Sequence, residues 1–165
     1  MMRVYIPTTL AMLQQLVADG SLAPVNGTAF AVTPTLREAY AEGDDDELGE
    51  VALRDAALAS LRLLSTASAD LPPRRAVLIA DVDDVTLRPD LDDAVVRLGT
   101  AVTIDRVVAA YVDNAAAEAD VVKAIAAVDA ADLGDEDAEL IVGDAQDHDL
   151  AWYATQELPF LLELL

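Results

Sequence analysis

Apolar and polar positions recur along the chain with two periods, and each change of period marks an element. Residues 3–7 (Arg-Val-Tyr-Ile-Pro) concentrate β-formers and predict a short strand. Leu10, Leu13 and Val17 follow at helical spacing, with Thr8 or Thr9 placed to cap that helix and Gly20 to end it in a left-handed conformation. Residues 28–33 predict a second strand with Phe30 and Val32 on one face. Thr33 then caps a short helix through 36–40, whose first turn takes Pro34. Gly43 and three aspartates, Asp44 to Asp46, break this helix and open the next, where acids suit the positive end of the dipole. The strongest helical pattern spans 47–64: Leu53, Ala56, Ala57, Leu61 and Leu64 share a face, and Glu50 stands four residues before Arg54.

Pro72 and Pro73 force a loop, after which residues 75–80 are apolar enough for a strand at the centre of a sheet. Asp83-Asp84 and Pro89-Asp90 bracket a strand at 85–87. Residues 95–98 and 101–104, parted by Gly99, predict a hairpin or a bent strand, and 106–113 a further strand. Asn114 can cap a helix that buries Val121, Val122, Ile125 and Val128. Beyond Asp129 the pattern weakens into a loop at 134–137, a helical or extended piece at 138–142, a polar stretch at 144–149 and an edge strand at 150–153. The elements interleave without strict β-α alternation. The expected class is therefore α+β: a single domain over 1–165 with a mixed β-sheet of about five to six strands packed against about three to four helices. Its last part, 150–165, is an apolar tail that must dock on the body or on a partner, since left in water it would drive association.

A chain of 165 residues suits one domain, able to bury roughly 70% of its unfolded surface. Apolar residues make up 54% and the mean hydropathy is +0.31, which argues against disorder. Yet 31 Asp and Glu face 10 Lys and Arg, for a net charge of −21. A greasy interior inside a negative skin reconciles the two. Such a skin repels nucleic acid and anionic membranes, so neither is an expected partner. It either serves as a solubility coat or steers a basic protein partner in; self-association is the other expectation. Cysteine is absent, which excludes disulfides and thiol chemistry. The opening apolar run is too short for a signal peptide and no stretch is long enough to cross a bilayer, so a cytoplasmic protein is expected.

Candidate chemistry is sparse. Acidic clusters at Asp81-Val82-Asp83-Asp84, at Asp90, Asp92 and Asp93, and at Asp132, Asp135, Glu136 and Asp137 lack the spacing of a calcium loop and read as turns and solvated charge; no metal is expected. His148, the one histidine, sits between Asp147 and Asp149 without a visible catalytic partner. No nucleophile elbow surrounds any of the four serines, and no glycine-rich phosphate loop occurs; no catalytic residue and no cofactor is assigned, which leans away from an enzyme. Trp152, Tyr153 and Phe160 gather the only Trp and one of two Phe into the end of the chain. They read either as closure of the domain's own core, the expected role for Trp152 and Phe160, or as a protein interface.

The opening Met2-Arg3-Val4-Tyr5-Ile6-Pro7, the blocks at 33–43 and 129–139, and Trp152-Tyr153-Ala154-Thr155-Gln156-Glu157-Leu158-Pro159-Phe160 together resemble a small uncharacterised actinobacterial protein family over the whole length. That resemblance implies no activity. A more distant likeness is to ADP-ribosyltransferase-like domains, carried by Tyr5 to Thr8 leading into a helix that ends at Gly20, the strand with Phe30 and Thr33, and the apolar strand ending at Asp81. It implies an NAD-binding hollow at Tyr5, Thr8 and Thr33. In the matching stretch Ile6 replaces the histidine of the Tyr-His-x-Thr pattern, and no Glu lies in 107–113, so the likeness implies a non-catalytic relative.

Overall fold

The computed structural model describes residues 1–67 and 70–165. In chain order the elements are β1 (Met2–Thr8), α1 (Leu10–Asp19), β2 (Ser21–Leu22), β3 (Thr28–Phe30), α2 (Pro34–Ala39), α3 (Asp45–Thr66), β4 (Ala76–Val82), β5 (Val85–Leu87), β6 (Val95–Leu98), β7 (Val102–Thr103), β8 (Val107–Val112), α4 (Glu118–Asp132), α5 (Glu136–Gln146), β9 (Ala151–Ala154) and α6 (Leu158–Glu163), with 3₁₀ turns between some of them. The main sheet orders its strands β5-β6-β3-β1-β4-β8-β9, and β2 pairs with β7 in a separate ribbon.

Several elements follow from local chemistry. The Thr9 hydroxyl accepts the Met12 N–H to cap α1, and Gly20 ends it at φ 79°, where a side chain would be strained. Thr33, Asp44 and Asp135 cap α2, α3 and α5 in the same way. Side-chain alternation then sorts β1 and β4 onto two faces. Val4, Ile6 and Leu78 face α1, through Leu10, Leu13 and Leu16, and α6, through Leu158 and Leu161. Val77, Ile79 and Phe30 face α2 and α3, through Leu36, Leu48, Ala52 and Ala56. Farther along α3, Leu61 packs with Val121 and Val128 of α4 and Val142 of α5. Each fully buried Leu or Val contributes about 1.5–3 kcal/mol, so these layers hold the fold.

The α+β class stands, but the sheet corrects the expected one. Every pairing is antiparallel rather than mixed, the main sheet has seven strands, and six helices surround it among the described residues. An apolar run reveals a strand but not its direction, and two-residue strands such as β2 and β7 have no period to read. Residues 95–98 and 101–104 form no hairpin: β6 pairs with β3 and β5, and β7 with β2. The polar stretch at 144–149 begins inside α5, whose eleven residues exceed the piece expected at 138–142. Val122 is 54% exposed, because it lies a step off the stripe of Val121, Ala124 and Val128. Leu158 and Leu161 of α6 pack into the core beside α1, whereas Trp152 and Phe160, expected in the core, stay 56% and 68% exposed. β8 bulges where Val107 and Ala109 pair with Ala80 and Ile79, leaving Val108 as the extra, exposed residue.

Candidate functional site

The three residues of the implied NAD hollow are not brought together. Tyr5 and Thr8, three apart on β1, lie on opposite faces, since side chains alternate along a strand. Tyr5 lines a shallow hollow with Arg3, Val32, Arg37 and Asp81, and burial raises its phenol above the ordinary tyrosine range. Thr8 is fully buried, its Oγ1 without a partner. The Thr33 hydroxyl is occupied, accepting the Leu36 N–H at 3.0 Å and donating to the Asp93 carbonyl.

The acidic clusters disperse into local work. Asp81 takes a bidentate contact from Arg3 at 3.0 and 3.1 Å, which holds its carboxyl below the usual range. Arg88 does the same for Asp90, and Arg62 for Asp132. Among the described residues no group of three or more His, Asp or Glu is placed to hold a metal ion.

A buried polar network, unannounced by any motif, organises one side of the molecule. Arg75, the residue just before β4, is 1% exposed and Asp113, the residue just after β8, is fully buried. Arg75 Nε–H donates to Asp113 Oδ2 at 2.9 Å and an Nη2–H to Oδ1 at 2.8 Å, while the Arg75 backbone N–H also reaches Oδ2 at 2.9 Å. The same guanidinium then reaches sideways, to Gln146 Oε1 at 2.7 Å and to the His148 carbonyl at 2.9 Å. Two sequence-distant strand ends thereby grip the segment that leads from α5 into β9. His148 adds a second tie: its Nε2 lies 2.7 Å from Asp120 Oδ2 on α4, not against the neighbouring aspartates. The one sequence signal was an arginine heading an otherwise apolar strand, which burial obliges to find a carboxylate.

Beside this network lies a hollow of about 590 Å³ between α3, β8 and the α5–β9 connection. Val51 and Leu150 give it apolar walls, Tyr111 an aromatic one, and Glu47, Glu50 and Asp149 an acidic lining. Arg54 also lines it; the charge of Arg75 is already matched by Asp113. Trp152 is the cross-strand partner of Tyr111 on β9, the last strand of the sheet. Tyr153, next along β9, is half-buried and packs into the core on the α1 face. Phe160 projects outward from α6, whose buried residues Leu158 and Leu161 fix it there. Of the trio read as core or interface, two are therefore on the surface and one is half-buried against the core. Beyond Lys123 the chain carries eleven Asp and Glu and no Lys or Arg, so α5, β9 and α6 bring only negative side chains to this region.

Fold and surface define an acidic α+β domain built on one antiparallel main sheet. The chain belongs to the Family of unknown function (DUF6912), whose model matches residues 2–162. None of the curated proteins and none of the solved structures matches it. Among the described residues, no helix is long and apolar enough to cross a membrane.

Proposed function

We propose that this is a non-enzymatic, cytoplasmic interaction domain that receives a protein partner along β9 and the adjoining hollow. The observation that carries this reading is Trp152, 56% exposed on an edge strand beside a concave, partly apolar surface. Large aromatics left in water on a rigid element cost solubility and are favoured where a partner covers them. Support also comes from the ties that His148 makes to Asp120, and Asp81, Asp90 and Asp132 to arginines, which give these titratable groups structural partners within the fold.

The test compares proximity labelling in cells by the intact chain and by a Trp152→Ala, Phe160→Ala double variant. Proteins labelled only by the former are purified and titrated by calorimetry. At least one is expected to bind the intact chain and to lose about tenfold or more in affinity to the double variant, as for a hot-spot aromatic. Binding indifferent to both residues, or identical labelling, would overturn the proposal.

A further inference from the structure

We propose that β9 is completed by an extended, lysine- or arginine-bearing segment of another protein, which adds to the open edge as a strand and sets a cationic side chain in the hollow beside Tyr111. This rests on the docking reading above and specifies its partner.

The edge geometry comes first. β9 ends the sheet, so its backbone pairs with β8 on one side only. The Ala154 N–H turns to the Glu157 carboxylate, 3.4 Å away, and so points off the ladder. Because N–H direction alternates along a strand, the Trp152 N–H and C=O share that outward direction and are offered to a further strand. The strand itself, Ala-Trp-Tyr-Ala, carries no charge and no proline, the devices that normally guard an edge. Its start is held by Arg75 through the His148 carbonyl, and its far end by the Thr155 hydroxyl, which donates to the Val107 carbonyl at 3.1 Å. An edge so anchored is a template for strand addition.

Charge then chooses the guest. Asp147, Asp149 and Glu157 bracket β9, with no Lys or Arg in the last 42 residues. The hollow adds Glu47 and Glu50 against a single free guanidinium, Arg54, and an aromatic wall suits a cation as well. A second copy of this chain would bring the same negative edge and a further charge of −21, which opposes self-pairing. A basic segment meets both demands.

The experiment selects random dodecapeptides, displayed on their encoding mRNA, against the intact folded chain. Recovered peptides are expected to be rich in Lys or Arg at alternate positions and poor in Pro. A recovered peptide should lose at least tenfold in affinity when alternate backbone amides are N-methylated, and severalfold against a Glu50→Gln, Asp149→Asn double variant. Both residues are on the surface, so that variant keeps its fold, checked by its melting temperature. Binders without basic residues that still depend on Trp152 would sink this inference and leave the docking surface standing. Binders indifferent to Trp152 would sink both. Indifference to N-methylation, an empty selection, or a dimer in sedimentation that Trp152→Ala dissolves would each overturn the basic strand.

Discussion

At one end of the main sheet, β5 contributes three residues, with a charged partner close at each side: Asp83 lies 3.7 Å from Arg106 and the N-terminal amine, and Arg88 donates to Asp90 at 2.9 Å. At the other end, β9 is as free of charged side chains as β5, but the acids flanking it, Asp149 and Glu157, have no Lys or Arg near them in sequence beyond Lys123. The first edge is short and electrically balanced. The second is anchored by buried groups and flanked by acids alone, Asp149 and Glu157. An open edge of this kind is a template for pairing with another chain. The contrast also locates the stabilising chemistry, since the ion pairs of the β5 side are in solvent whereas the pair beneath the β9 side is dry.

Breaking that dry pair is the strongest test. Arg75→Met should cost about 3–5 kcal/mol, read from the urea midpoint, because it strands the buried Asp113 carboxylate and frees the α5–β9 connection. Arg88→Met on the opposite edge is expected to leave the midpoint in place. Equal midpoints for the two variants would erase the distinction. Next comes Leu158→Ala, expected to cost about 2–4 kcal/mol, since its fully buried side chain anchors the tail behind β9. A smaller effect, of opposite sign, belongs to Asp55 on α3. Burial first, then the nearby Asp92, pushes its carboxyl up to about 6, although Arg54 and Arg62 draw it down. The folded state then holds a proton more tightly than the unfolded chain, so stability falls as pH rises from about 4 to about 6. Asp55→Asn should remove this slope and, with the group partly hydrated, raise stability at pH 7 by only about 1 kcal/mol, measured by thermal unfolding at both pH values. Least of all, Trp152→Ala should shift stability by no more than about 0.5 kcal/mol while weakening partner binding, whereas Leu87→Ala at the β5 edge changes neither.

What could be read in the chain was what its neighbours in sequence decide. The Thr9 and Thr33 caps, the Gly20 stop and the long α3 depend on side chains within a few positions of one another. Pairings decided at long range were not legible. Arg75 and Asp113 are 38 residues apart, His148 and Asp120 are 28 apart, and nothing local ties either pair. Strand direction was hidden for the same reason: Val77 and Ile79 are equally apolar in a parallel or an antiparallel ladder. Trp152, Tyr153 and Phe160 stood out by rarity alone, and rarity cannot say which way a ring points. On β9 and α6 the register of Tyr153, Leu158 and Leu161 toward the core turned Trp152 and Phe160 to water.

Ser60 adds a mechanical consequence. From the C-terminal half of α3 its hydroxyl donates to the Thr8 carbonyl at 2.6 Å and accepts the Ala76 N–H at 3.0 Å, stitching the helix to two strands at once. Sliding α3 by a turn would forfeit both bonds in a dry interior, so this helix behaves as a fixed rail rather than a moving jaw. Whatever enters the groove beside it meets a finished contour, and the accommodation in shape falls to the incoming chain.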